Sequence, residues 1–149
     1  LEGGGTEQNT LTSAADLSAT SLEQALIDIA ETTDDRGKKI ALRPQKIVIP
    51  VNLQWTARKL LGSSLDPDSA NNAINPASGI LPFTVNNFLT DTDAWFIQCD
   101  RHQMNFFWRR RPDFDRDNDL ETDNLHFKVT SRWSRGFSHW AGMYGSPGA

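Results

Sequence analysis

The residues with the most obvious chemistry lie between Phe106 and Asp119. Asp113, Asp115, Asp117 and Asp119 alternate with other residues, and neighbouring carboxylates relieve their mutual repulsion by sharing a cation. A twelve-residue calcium loop needs glycine at its sixth position and a bidentate glutamate at its twelfth. Counted from Asp113, those positions hold Asn118 and Asn124, so the run reads as a solvated acidic turn before it reads as a weak cation site. Just upstream, Phe106-Phe107-Trp108 runs into Arg109-Arg110-Arg111. Aromatic rings beside cations can hold single-stranded nucleic acid by stacking and phosphate contact, but the glycine-bearing pattern of an RNA-recognition strand is missing. Arginine–carboxylate pairing, within the chain or to a neighbouring copy, accounts for the basic and acidic halves together.

The remaining candidates are weaker. His102, His126 and His139 match no compact zinc spacing, and the single Cys99 adds little to them. No Gly-x-Ser-x-Gly elbow, phosphate loop or dinucleotide fingerprint is present. The histidines are expected at the surface or in hydrogen bonds, and no residue is nominated as catalytic, cofactor-binding or metal-ligating. One cysteine excludes an internal disulfide, and Cys99 is expected as a small strand residue packed inside. The formal charge of −4 argues against a dedicated nucleic-acid binder, and no apolar run approaches the ~20 residues that cross a bilayer. A chain of 149 residues suits one domain with a real core.

The elements that must position these residues change character along the chain. Residues 1–19 are rich in Gly, Thr, Ser and Ala and read as a flexible leader. Thr20-Ser21-Leu22-Glu23 fits a capping box. Leu22, Ala25, Leu26, Ile29 and Ala30 then recur at helical spacing, with Gly37 placed to end the helix. Ile40 to Pro44 and Lys46 to Pro50 read as extended. A second helix runs through Leu53, Ala57, Leu60 and Leu61 and stops near Gly62. A polar loop from Gly62 to Gly79 is full of turn residues, and loops of that length are often contact elements. Strands are expected over Leu81–Val85, Ala94–Cys99, Asn105–Arg110, Leu125–Trp133 and Phe137–Met143, with a hairpin turn at Asp100-Arg101-His102. Helices early and strands late predict an α+β domain. Trp55, Trp95, Trp108, Trp133 and Trp140 are many for this length. Trp95 and Trp133, in the most strand-like segments, are assigned to the core, while Trp140 suits a core or a contact.

The order of these pieces resembles the major capsid protein family of tailed bacteriophages. The resemblance rests on four stretches before the last strands: Pro44-Gln45-Lys46-Ile47-Val48-Ile49-Pro50, the helix from Leu53 to Leu61, Asn72-Ala73-Ile74-Asn75-Pro76, and Leu89 to Phe96 with its Ala94-Trp95. Phe127 to Gly136 and Trp140 to Tyr144 look like that family's final pair of strands. The resemblance implies the tailed-phage capsid fold, with a peripheral domain of spine helix and long strands and an axial domain around a central sheet. Residues 20–46 would be the spine helix and the strand leading from it, 47–104 mainly axial domain, and 105–149 strands returning to the peripheral domain, all in one compact unit. Family members carry an N-terminal arm and an extended loop ahead of the spine, so the chain is expected to be the C-terminal portion, without either.

The implied function is structural: a head subunit that self-assembles into the icosahedral shell around phage DNA, with no enzymatic activity and no cofactor. Its partners would be copies of itself, in pentamers and hexamers, with non-specific contact to packaged DNA and no membrane or small-molecule substrate. It would reside in the virion capsid and assemble in the host bacterial cytoplasm. By itself this portion is expected to stay a monomer or weak small oligomer, with Arg109, Arg110 and Arg111 adding a salt-sensitive component. Two alternatives outside the resemblance are a β-rich module binding cations or carbohydrate through its tryptophans and the acidic run, and a hydrolase with a non-local site.

Overall fold

The computed structural model describes residues 9–34, 36–66, 73–118 and 121–149. Its elements run α1 (Ala19–Glu31), β1 (Pro44–Ile49), a 3-10 turn (Val51–Leu53), α2 (Gln54–Gly62), β2 (Phe83–Val85), β3 (Trp95–Cys99), β4 (Met104–Asn118), β5 (Leu125–Phe137) and β6 (Met143–Ser146). The α+β expectation holds. The expected single compact unit does not: residues up to His102 form one unit together with Trp140–Ala149, and Gln103–His139 form another. No helix among the described residues is long and apolar enough to cross a membrane.

The first unit is built on a four-stranded sheet in the order β2-β1-β3-β6. β1 and β2 are parallel, whereas β3 runs antiparallel to both β1 and β6. Successive side chains on a strand point to opposite faces, and the buried residues keep that period. Ile47 and Ile49 of β1 and Trp95, Ile97 and Cys99 of β3 are all buried, with Ile47 directly opposite Ile97. They join Leu22, Ala25 and Ile29 of α1 and Ala57 and Leu61 of α2 in one apolar cluster. Trp95 fills this core as expected, and its indole N–H donates to the carbonyl of Ala15 at 3.0 Å.

Helix α1 starts one position before the expected Thr20. Ser18 is its cap: the Ser18 hydroxyl accepts from the Ser21 amide at 3.2 Å, and the Ser21 hydroxyl accepts from the Ser18 amide at 2.9 Å. The reciprocal pair that satisfies the orphan donors is therefore serine with serine, and Thr20 lies inside the first turn. The helix ends at Glu31, well before Gly37. Gly37 instead serves the following turn, where φ is +74° and Asp34 accepts from the amides of Arg36 and Lys38. Leu26 is half-buried and Ala30 exposed, so the apolar face is narrower than its spacing suggests.

Other boundaries shift for local reasons. Ile40 to Arg43 forms no strand, because Ala41 adopts a left-handed φ of +56°. Asp100-Arg101-His102 is not a hairpin turn, since the edges of β3 are taken by β1 and β6. The assigned leader is tied down from Asn9 onward: Thr10 bridges Gly145, and Ser146 Oγ exchanges hydrogen bonds with both backbone groups of Ala15. Residues 1–8 of that leader lie outside the described residues, as does 67–72 within the polar loop. The loop's end is structural. Buried Asn75 donates to the carbonyls of Leu60 and Ser63, meeting the unpaired acceptors at the end of α2.

Candidate assembly surface on the β4–β5 hairpin

β4 and β5 form a separate two-stranded antiparallel sheet. Their register runs from Met104 opposite Phe137, through Trp108 opposite Trp133, to Asn118 opposite Leu125. Two irregularities interrupt β4, between Trp108 and Arg110 and between Arg110 and Asp113. The second contains Pro112, and a bulge is where a strand tolerates a residue with no N–H. β4 therefore runs past Arg110, the expected end, through Asp113, Asp115 and Asp117 to Asn118.

Residues directly opposite one another share a face, so the register sorts the side chains. One face carries Met104, Phe106, Trp108 and Phe114 from β4, and Leu125, Phe127, Val129, Trp133 and Phe137 from β5. Ring contacts agree with this sorting. Phe106 meets Trp108 edge-on at 5.1 Å, stacks near Trp133 at 5.5 Å, and Arg135 lies over the Trp133 ring at 5.9 Å. The other face is polar apart from Phe107, with Arg110 opposite Arg132, Asp115 opposite Lys128 and Asp117 opposite His126.

None of this apolar face is buried. Phe114 is 80% exposed, Phe127 and Phe137 are each 77% exposed, and Trp133 is 52% exposed. Trp133 was assigned to the core, and that assignment is corrected: its alternating pattern is real, but among the described residues the face it lies on is exposed. Soluble monomers rarely expose contiguous apolar patches beyond a few hundred Å², and a two-stranded hairpin alone is marginally stable in water. An alternating pattern over thirteen residues of β5 is thus paired with a face whose covering is not part of the hairpin.

The sequence candidates separate on this frame. Asp113, Asp115 and Asp117 sit on a strand rather than in a turn, and Asp119 is outside the described residues. Among the described residues no group of three or more His, Cys, Asp or Glu could hold a metal ion. Arg110 pairs with Asp113 at 2.6 Å, as arginine–carboxylate pairing anticipated, but both side chains are more than half exposed, so the pair contributes at most about 1 kcal/mol. The histidines do not converge: His126 is on β5, His139 follows that strand, and His102 belongs to the first unit, where its Nδ1 is buried without a partner. Cys99 is buried, and burial, reinforced by the charge of Asp100, pushes its thiol up to about 11. It packs as expected of a small strand residue.

The first unit has its own concavity, a groove of about 690 Å³ between α1 and α2. Leu22, Leu26, Ile27, Leu60 and Ile80 line it, with Glu23 and Lys59 at its walls. The signal that would have revealed the hairpin face from sequence was present: Leu125, Phe127, Val129, Trp133 and Phe137 are all odd-numbered. The acidic run, read as a turn, concealed its partner strand.

One unit of the chain is thus a long amphipathic ribbon whose apolar face is exposed among the described residues, and the other is a small helix-and-sheet core. No curated protein matches the chain. A protein-family model described as phage capsid protein matches residues 1–146. The chain belongs to that phage capsid protein family, a structural rather than an enzymatic one, which places its role in the virion capsid.

Proposed function

We propose that the chain is part of a subunit that self-assembles into the icosahedral shell enclosing phage DNA, in the tailed-phage capsid fold. The observation that carries the reading is the uncovered apolar face of β4 and β5, joined to membership of a capsid family. A face of that size costs free energy in water, and burial at about 25 cal/mol per Å² supplies a drive for association. Residues 20–46 correspond in this reading to the spine helix and its following strand, 47–104 mainly to the axial domain and 105–149 to strands of the peripheral domain. Heterologous contacts between subunits close into pentameric and hexameric rings. Packaged DNA touches the inner surface without sequence recognition, and assembly takes place in the host cytoplasm.

Electron microscopy of lysates from bacteria expressing the gene is the test. Closed shells of uniform diameter are expected. A soluble protein that forms no particle, alone or with the other head components, would remove the reading.

A further inference from the structure

The register that sorts the apolar side chains of the β4–β5 hairpin also sorts its charges. On the apolar face the registered charged residues are Arg116, opposite Phe127, and Arg135, opposite Phe106. The carboxylates of Asp113, Asp115 and Asp117 are registered to the other face, opposite Thr130, Lys128 and His126. A chain of net charge −4 thus presents, on one face of its hairpin, cations with no registered carboxylate beside them. The apolar set on that face is mostly flat. Phe106, Trp108, Phe114, Phe127, Trp133 and Phe137 all lie on it, and all are exposed.

We infer that this face, in the unassembled chain, is a stacking platform for single-stranded nucleic acid, with bases on the rings and phosphates on Arg116 and Arg135. Charge and ring chemistry select that occupant together. An aliphatic face would suit any apolar partner, whereas an aromatic ring stacks on every base and a cation beside it meets the phosphate. Arg135 already lies over the Trp133 ring at 5.9 Å, the arrangement by which a guanidinium adds to such stacks. Same-face residues on a strand recur about every 6.8 Å, about twice the ~3.4 Å rise of a stacked nucleic-acid strand. A single strand can be drawn out to seat one base per ring, and a duplex with paired bases cannot. The rings then hold about six nucleotides, a common size for a single-strand site. Stacking accepts every base, so no sequence is read. A neighbouring subunit that covers the face in a shell displaces the strand. The inference goes beyond the capsid reading and does not rest on it.

Fluorescence anisotropy of a labelled oligodeoxythymidylate, titrated with the purified chain, is the test. Micromolar binding is expected at low salt. The logarithm of the binding constant should fall against that of salt with a slope of about −1.4, at ~0.7 for each phosphate met by the two arginines. A duplex of the same length should bind at least about tenfold more weakly, since its bases are not free to stack. Phe114→Leu with Phe127→Leu keeps two apolar side chains and removes two π-faces, and should weaken binding by about tenfold or more. Arg116→Gln with Arg135→Gln should flatten the salt slope. Phe107→Leu, the same change on the opposite face, should leave binding as it is, and circular dichroism checks that every variant keeps its strands.

Absence of binding at low salt overturns the proposal. So does a duplex that binds as tightly as the single strand, or a double leucine variant that binds as well as the unsubstituted chain. Vesicles of anionic phospholipid that displace the oligonucleotide, and bind the double leucine variant undiminished, would assign the face to a lipid surface instead. A dimer formed through this face that persists in excess oligonucleotide would assign it to a second copy. Shells in expressing cells, from a chain that binds no oligonucleotide, would end this inference and leave the capsid reading standing.

Discussion

β3 and β5 follow the same rule and meet opposite fates. Both carry apolar residues at odd-numbered positions, and both point that set to one side of a sheet. In β3 that set is Trp95, Ile97 and Cys99, each at most 1% exposed beneath residues of α1 and α2. In β5 it is Leu125, Phe127, Val129, Trp133 and Phe137, each at least half exposed. The strand pattern shows that a face is meant to be covered. It does not say whether the cover comes from the same chain or from another copy. A buried strand and an exposed one are written alike, and only the surrounding elements distinguish them.

The sharpest way to break this comparison is to truncate one tryptophan from each unit. Trp95→Ala should cost about 3–5 kcal/mol, the range for removing a buried aromatic, and should lower the melting temperature of the first unit sharply. Trp133→Ala should leave that melting temperature nearly unchanged in dilute monomer, within about 0.5 kcal/mol, and should act on association instead. Equal losses in stability would mean the hairpin face is covered within the chain.

Within α1 the same contrast can be drawn at smaller scale. Leu22→Ala, at a fully buried position, should cost about 2–4 kcal/mol in denaturant unfolding. Leu26→Asp, at a half-buried position lining the groove, should cost about 1 kcal/mol. The reverse order would move the helix's buried stripe.

Alkaline pH separates the units without mutation. Burial raises the Cys99 thiol to about 11 from an ordinary value of 9.0. Burial also raises the Tyr144 phenol, whose hydroxyl donates to the Asp28 carboxylate. In both groups the folded state holds its proton to higher pH than the unfolded state. Their stabilising contribution is therefore complete below the unfolded pKa and lost as pH rises through the folded one. Melting of the first unit should fall from about pH 9 upward, by roughly 2 kcal/mol by pH 11 from Cys99 alone. Neither of these groups lies in the hairpin, so Cys99→Ala should flatten the slope of the first unit.

The smallest expected effect concerns the cap. Ser18→Ala should cost about 1 kcal/mol, while Thr20→Ala, inside the first turn, should change unfolding by less than about 0.5 kcal/mol. A larger loss at Thr20 would return the cap to the position its capping-box pattern suggests.

Much of the first unit was legible before any tertiary information, because local rules and packing agree there. Lys46 to Ile49 is a short β-branched apolar run bounded by prolines, which reads as a strand. Leu53 to Leu61 has helical spacing and a glycine at its end, and α2 stops at Gly62. Burial of Trp95 followed from its place in a strand-like segment, and that of Cys99 from the tendency of a free cysteine to pack inside. The misreadings arose where two local solutions have similar energy. Ser18 and Thr20 can both cap a helix, and the choice fell to the serine whose partner, Ser21, is buried and also donates to the Asp16 carbonyl. Asp113 to Asp117 favours turns when considered alone, but across from Lys128 and His126 it extends as a strand.

The amino-acid sequence by itself determined which residues alternate, where the helices lie, and that the chain resembles a capsid protein, because periodicity and turn chemistry are local properties. Only the tertiary structure decided which alternating face is core and which stays exposed. That decision depends on whether two helices and a sheet supply enough apolar surface to cover a strand, a sum over distant residues that no local pattern contains. For β1 and β3 the sum closes within the chain. For β4 and β5 it does not close among the described residues, and the rings of Phe114, Phe127 and Phe137 stay exposed.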